Sequence, residues 1–269
     1  MDQSVLLGAV AYDPKVVSIW EGIRDYFLEQ GVGFDFALFS NYERQVEELL
    51  AGHVDIAWNT PLAHVRVKRR TNGRSLSLGM RDSDRDFHAK VIVRRDARIE
   101  KLSELHGKRL AVGSRDSTQA RILPLYFLQQ EGIDLERVKV TSFDSDLGKH
   151  GDTGNSELDV LQALREGNAD AGTIGDLVWV NEQAAGHIDA SQIRVLYTTP
   201  GFDHCMFDAL PTLPASTREQ FQRALFSMKW DNPRHRRLLE LEGLREWLPP
   251  REEGYQSLEK ALASEVAVR

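Results

Sequence analysis

Cysteine is almost missing from this sequence: Cys205 is the single one among 269 residues. An internal disulfide is therefore excluded, and so is any zinc or iron–sulfur centre held by several thiolates. Long apolar runs are missing too, and no stretch approaches the roughly 18–20 residues that carry a helix across a bilayer. Positive charge is in deficit. Against 41 acidic side chains stand 34 Lys and Arg, a net charge of -7, which argues against a protein that coats nucleic acid. Low-complexity tracts and short repeats are absent. The opening "MDQSVLLGAVAY" has no basic segment and soon meets Asp13-Pro14, so it does not read as a secretory leader. As it stands the chain reads as cytoplasmic, or as periplasmic or extracellular if it was trimmed.

What is present is an alternation of strand and helix. Val5–Ala11 reads as a buried strand, and Asp13-Pro14 as a helix start, since Asp caps and Pro suits the first helical position. Helical spacing then runs through Val17, Ile19, Trp20, Ile23, Tyr26 and Phe27 to Gly31. Phe34–Phe39 is a second strand, Asn41 caps a second helix that stops at Gly52, and Val54–Trp58 is a third strand. That strand runs into Asn59-Thr60-Pro61, a polar cap followed by proline and an apolar-faced helix. The rhythm breaks at the polar run Arg81–Asp86, read as a solvated connection, and Phe87–Val93 alternates like a strand. It resumes with Leu110–Gly113, Val138–Phe143, Ala169–Ile174 and Ile193–Tyr197 as strands, separated by helices over Thr118–Gln130, Glu157–Glu166 and Leu177–Ala185. After Pro200 the pattern is mostly helical. The expected fold class is α/β, with two lobes, each a mainly parallel sheet flanked by helices.

Polar residues gather where strands give way to helices: Asp13-Pro14, Asn59-Thr60-Pro61, Ser117-Thr118 and Thr153-Gly154-Asn155-Ser156. A free helix N-terminus offers unpaired N–H groups and about half a positive charge, so several together suit a small oxyanion without any arginine. Taken singly, each is an ordinary cap. The segment Gly148–Ser156 is the densest polar loop, and its glycines let backbone N–H groups approach a ligand. Lys149 and His150 against Asp152 and Glu157 suit a ligand with an anionic and a donor group; the plainer alternative is a simple turn. No Walker A loop, CxxC, HExxH or EF-hand spacing occurs, so neither a cofactor nor a bound metal is expected. Asp203-His204-Cys205 offers three ligand types in a row, yet neighbours on a strand point to opposite faces, so at most two alternate ones act together. The five tryptophans read mainly as core, with Trp58 the one placed to face a cleft.

The ordered segments "YDPKVVSIWEGIRDYF", "SNYERQVEELLAGHVDIAWNTPLAH", "LSELHGKRLAVGSRDSTQARILPLYFLQQEGI" and "ALREGNADAGTIGD" resemble the phosphate/phosphite/phosphonate-binding components of ABC importers. Those components have the type II periplasmic-binding-protein fold. The resemblance extends nearly over the whole chain, through "DNPRHRRLLELEGLREWLPPREEGYQSLEKA". It implies two lobes joined by two crossover strands, one lobe of residues 1–88 plus 199–269 and the other of 89–198. It places Tyr12 and Thr60-Pro61 in the first lobe's share of the cleft, and Ser117 and Thr118 at the helix start that grips the oxyanion. Two departures stand out. The run here is Asp116-Ser117-Thr118-Gln119-Ala120 where the family often has three hydroxyls, and Glu157 stands where it often has histidine.

The function expected is a solute-binding protein that closes over a small polar or anionic ligand, phosphate-like, phosphonate-like or zwitterionic, for an ABC permease. No catalysis, nucleic-acid binding or membrane insertion is expected. The residues assigned to the ligand are Tyr12, Asn59, Thr60, Pro61, Ser117, Thr118, Gln119, His150, Thr153, Glu157, Asp176 and His204. The alternative is a cytoplasmic enzyme or sensor on the same fold, with an acid–base or metal-assisted site from His150, Asp152, Glu157, Asp176, His204 and Cys205.

Overall fold

The strand–helix repeats assemble into two sheets, one in each of two units, in the computed structural model, which describes residues 4–149 and 154–264. The first unit begins with β1 (Val5–Val10), α1 (Lys15–Glu29), β2 (Phe34–Phe39), α2 (Tyr42–Leu50), β3 (Ile56–Asn59), α3 (Pro61–Arg70) and β4 (Leu76–Arg81). The second unit follows with β5 (Ala89–Arg94), β6 (Arg109–Val112), α4 (Leu123–Gln130), β7 (Lys139–Ser142), α5 (Asn155–Arg165), β8 (Ala171–Gly175), α6 (Asp176–Ala184) and β9 (Ile193–Thr198). The chain then returns to the first unit as β10 (Met206–Ala209), α7 (Ala215–Phe226), α8 (Pro233–Leu241) and β11 (Trp247–Leu248). It ends its described part with α9 (Gln256–Ala263).

Local rules explain the starts. Asn41 Oδ1 accepts the Arg44 N–H at 2.8 Å and caps α2, while Pro61 opens α3 with its pre-set φ. Helix α1 buries one stripe, Val16, Ile19, Trp20, Ile23, Tyr26 and Phe27, at helical spacing. That stripe meets β1, β2 and α7 in a core where the Phe27 ring lies 4.6 Å from Phe34 and 5.2 Å from Phe221. Trp58 belongs to this core as well. It is 6% exposed, with its ring 4.4 Å from Phe207 and 5.6 Å from Trp247, so it is packed inward rather than presented at an open face.

The first sheet runs β11-β4-β10-β3-β1-β2, and the second β7-β6-β8-β5-β9. The edge strand β11 pairs antiparallel with β4, and each sheet has a strand inserted antiparallel into its parallel part: β10 between β4 and β3, and β5 between β8 and β9. These are the first strands formed after the chain passes into a unit from the other. Strands β4, β10 and β11 escape the sequence pattern. Four fully buried residues in β10 show no alternation, and a two-residue β11 is too short to show a period.

One unit holds the described residues up to Asp86 together with Asp203–Tyr255, and the other holds those of Phe87–Phe202 and from Gln256 onward. The chain thus passes between units three times, after Asp86, Phe202 and Tyr255, rather than by two crossovers. Assigning residues 199–269 to the first lobe is corrected at both ends. Phe202 pairs with Phe87 in an antiparallel bridge inside the second unit, and α9 packs its buried Leu258 and Ala261 there, on α4 and the turn before it. The polar run is corrected too: Asp84 is 2% exposed, its carboxylate held by Arg81 at 2.7 and 2.8 Å.

Candidate functional site

In the second unit, β6 ends at Val112 and the chain turns through Gly113 and Ser114 into a π-helical turn, Thr118–Ile122, that leads into α4. Single π turns are rare and concentrate at functional positions. Ser117 caps the turn, its Oγ accepting the Ala120 N–H at 3.1 Å. Gly113 is required here, because a Cβ would lie 2.5 Å from Ala120 Cβ and 3.0 Å from Ser156 Oγ. The π turn and the first residues of α5 therefore close on the end of β6. Asp146 draws α5 in by accepting the Ser156 N–H at 2.7 Å, and Ser114 Oγ accepts the Asp146 N–H at 3.0 Å.

Thr118 sits at the centre of this arrangement. It is fully buried, and its Oγ1 has no hydrogen-bond partner among the described residues. A buried hydroxyl without a partner costs about 1–3 kcal/mol, so its retention calls for an explanation. Next to it, Gln119 Nε2 donates to Glu157 Oε1 at 3.1 Å, and the Gly175 N–H donates to Glu157 Oε2 at 2.6 Å. Glu157 is 1% exposed, and burial pushes its carboxyl up to about 7 against the pull of those two donors, with the negative Asp146 adding to the rise. A Cβ on Gly175 would meet Phe87 at 2.9 Å and Gln119 at 3.0 Å, so the backbone N–H approaches the carboxyl only because that position is glycine. Arg121, in the same turn, is 6% exposed, and burial presses its pKa down against the opposing charge of Asp144. Helices α5 and α6 both begin at this edge of the sheet, so their positive dipole ends add to the turn's donors.

The other assigned residues fare differently. Asn59 is wholly buried; its Nδ2 donates to Asp208 Oδ2 at 2.8 Å and its Oδ1 accepts from Gln45 Nε2 at 2.8 Å. It belongs to a packed network with His64, whose Nδ1 lies 2.8 Å from Asp208 Oδ1. Burial works against the charged form of His64, but the Asp208 carboxylate outweighs it and the pKa is raised. Thr60 and Pro61 are buried at the start of α3, and Tyr12 follows β1 half-buried, with Lys15 Nζ 5.8 Å from its ring centroid. Asp176 ties α6 to β5: its Oδ2 accepts the His88 N–H at 2.8 Å and its Oδ1 pairs with Lys90 Nζ at 2.5 Å. His150, Asp152 and Thr153 lie outside the described residues.

His204 and Cys205 do converge, against the alternation argument, because they precede β10 rather than lie in it. His204 Nδ1 is 3.1 Å from Cys205 Sγ and 3.6 Å from Asp84 Oδ1. Among the described residues, Asp84, His204 and Cys205 are the trio whose ligand atoms cluster for a metal. Both carboxylate oxygens of Asp84 are already taken by the Arg81 guanidinium, which also puts a fixed positive charge where a cation would sit. Burial pushes His204 down to about 4, with Arg81 adding to the fall and Asp84 resisting it, so the imidazole is neutral and the trio reads as packing. Asn59, Asp176 and His204 are thus committed to internal contacts. The residues of the alternative acid–base site fall in different units, Glu157 and Asp176 in one, His204 and Cys205 in the other. Ser114 and Arg121 were not singled out by sequence reasoning, and Ser156 only as part of the Thr153–Ser156 helix start; Ser114 lies near residues that were, and nothing in local spacing marks a buried arginine.

Residues 9–255 match the family described as "ABC transporter, phosphonate, periplasmic substrate-binding protein". The probable ABC transporter phosphite binding protein PhnD1 of Prochlorococcus marinus strain MIT 9301 is 23% identical over 230 residues, 82% of this chain and 74% of that one. The structure of PhnD1 from that organism in complex with methylphosphonate superposes with a TM-score of 0.75 at 19% identity, covering 97% of each chain. The periplasmic aliphatic sulphonate binding protein SsuA from Escherichia coli gives 0.61 at 16% identity, over 98% of this chain and 84% of its own. These likenesses fix the fold as the type II periplasmic-binding-protein fold, each unit one sheet with flanking helices. No helix among the described residues is long and apolar enough to cross a membrane. With a family match that spans both units and takes in the turn at Ser117-Thr118, the chain belongs to the phosphonate-binding family of periplasmic substrate-binding proteins of ABC transporters.

Proposed function

We propose that this protein binds a small phosphorus oxyanion of the phosphonate or phosphite class in the periplasm and delivers it to an ABC permease. The observation that carries the reading is Thr118, a fully buried hydroxyl with no partner among the described residues, set in a π turn beside Ser117. A ligand oxygen at this place would accept from Thr118 Oγ1, and the positive dipole ends of α5 and α6 and the buried Arg121 favour negative charge there. The proposed ligand set is Ser117, Thr118, Gln119 and Glu157. Support comes also from the family itself, and from the relatives whose names carry phosphite and methylphosphonate. Membership of a transport family, together with the internal commitment of Asp176 and His204, favours binding over catalysis.

Isothermal titration with methylphosphonate, phosphite and phosphate tests the reading. Replacing both Ser117 and Thr118 by Ala weakens the best of these by about 1–3 kcal/mol, with Tyr12→Phe and Thr60→Val assayed alongside. Equal affinity for the double variant, or no binding of any of the three by the unmodified protein, sinks it.

A further inference from the structure

We propose that Glu157 is a specificity-determining acceptor, which admits oxyanions able to share a proton with it and disfavours permanently ionised ones such as sulfonates. This rests on the oxyanion reading of the Ser117–Thr118 turn. Glu157 joins that turn through Gln119 and joins the end of β8 through the Gly175 N–H. It is buried among groups suited to an anion, yet it is itself an acid, and no side-chain cation pairs with it among the described residues. A carboxylate has about four lone-pair sites, and Gln119 and Gly175 use one each. An anion placed beside Thr118 therefore meets either a carboxylate, which repels it, or a protonated carboxyl, which donates to it.

A phosphonate resolves the conflict because it titrates near neutrality. Its P–O–H donates to the carboxylate, or its P–O⁻ accepts from the protonated carboxyl; both descriptions hold one proton between two oxygens. A sulfonate brings no proton, so it is accommodated only when Glu157 carries one. Among the described residues, the groups that bear on this titration are few. Gln119 and the Gly175 N–H are neutral donors, Asp146 before α5 opposes ionisation, and beyond Gly175 the Asp176 carboxylate is paired with Lys90 beside His88. Rejection by an unpaired or repelled charge is the usual means by which a site separates ligands of one shape.

The test measures the affinities of methylphosphonate and methanesulfonate by titration calorimetry at pH 6 and pH 8, for the unmodified protein and for Glu157→Gln. The unmodified protein prefers methylphosphonate on the order of 10–100-fold at pH 8. The preference narrows about tenfold at pH 6, through a gain by the sulfonate. The Gln variant donates to either ligand, so its preference is smaller, and its affinity for methanesulfonate, which does not titrate in this range, is the same at both pH values; its melting curve reports whether it is folded. If that variant does not fold, the gain in methanesulfonate affinity from pH 8 to pH 6 in the unmodified protein decides alone. Methylphosphonate bound with an unaltered preference in the variant, or with no change between pH 6 and 8, overturns the role of Glu157 and leaves the oxyanion site standing. Failure of the unmodified protein to bind either probe overturns the site, and this assignment with it.

Discussion

Below the end of β3 in the first unit, Gln45, Asn59, His64 and Asp208 are tied to one another by hydrogen bonds of 2.8 Å. After β6 in the second unit, Thr118 is equally buried and its hydroxyl is answered by nothing among the described residues, while Glu157 nearby has lone pairs to spare. Both places follow a central parallel strand and open a helix or a helical turn, and both were marked by the same kind of polar residues. The difference shows how a buried polar group is to be read. Asn59 and Asp208 have their polar atoms answered within the fold and hold it together, although Gln45 Oε1 and His64 Nε2 of the same network have no hydrogen-bond partner among the described residues; at Thr118 the side chain's one polar atom is left over, and it is available to a ligand.

The largest expected effect comes from breaking the first arrangement. Asp208→Ala leaves His64 and Asn59 without their shared acceptor in a fully buried place, and costs about 3–5 kcal/mol of stability. Denaturant unfolding checks this, and a loss below about 1 kcal/mol would mean that the network is not what secures the first unit.

The second prediction concerns Glu157. Its carboxyl titrates near 4.5 when unfolded and about 7 when folded, so between those values the folded state holds a proton that the unfolded state has released. Its contribution is therefore complete below about pH 4.5 and fades as pH rises to about 7, a change on the order of 3 kcal/mol. Unfolding free energies of the ligand-free protein at pH 5 and pH 7 should fall more steeply than those of Glu157→Gln. Parallel curves would show that Glu157 does not resist ionisation.

Much of the frame was legible because it depends on local chemistry. Asn41 and Ser117 cap where they were expected to, and Pro61 opens its helix. The stripe from Ile19 to Phe27 is buried as its spacing requires, but Val17, counted in it, is exposed and Val16 is buried in its stead. What was not legible depends on contacts between distant segments. Strand β10 is placed by pairing with β3 and β4, more than a hundred residues earlier, and no periodicity in four buried residues announces it. The same holds for α9, whose apolar face fits either unit until its neighbours are known. Within the candidate site, Ser117 and Thr118 were read from the sequence as polar residues at a helix start, whereas Gln119 and Glu157 were reached through the family resemblance, Glu157 also as one of the charges beside the Gly148–Ser156 loop. That Asn59 spends its amide on Gln45 and Asp208, and Asp176 its carboxylate on Lys90, was beyond any local signal.

The third prediction tests how tightly the second arrangement is drawn together. Gly113→Ala places a methyl 2.5 Å from Ala120 Cβ, so the π turn must shift away from β6. Overpacking of this kind costs about 1–3 kcal/mol and displaces Thr118 and Ser156 as well, so methylphosphonate affinity falls together with stability. A variant as stable as the parent, with affinity intact, would show that the close approach is dispensable.

Thr118→Val carries the smallest expected effect on stability and the sharpest contrast with Asp208→Ala. Valine has nearly the shape of threonine, and a β-branched residue is retained at the head of the turn, so the backbone has no reason to move. The hydroxyl that is lost makes no hydrogen bond within the described residues, so no partner is stranded and a buried polar group is removed. Stability in the absence of ligand should stay level or rise by about 0–1 kcal/mol, read as a small upward shift of the melting curve. Affinity for the oxyanion should fall even so, because the methyl cannot donate. Asn59→Leu, of similar volume, strips Gln45 and Asp208 of a partner and should lower the melting curve. If Thr118→Val instead destabilises the protein as Asn59→Leu does, the Thr118 hydroxyl is serving the fold, and the distinction between the two strand ends is lost.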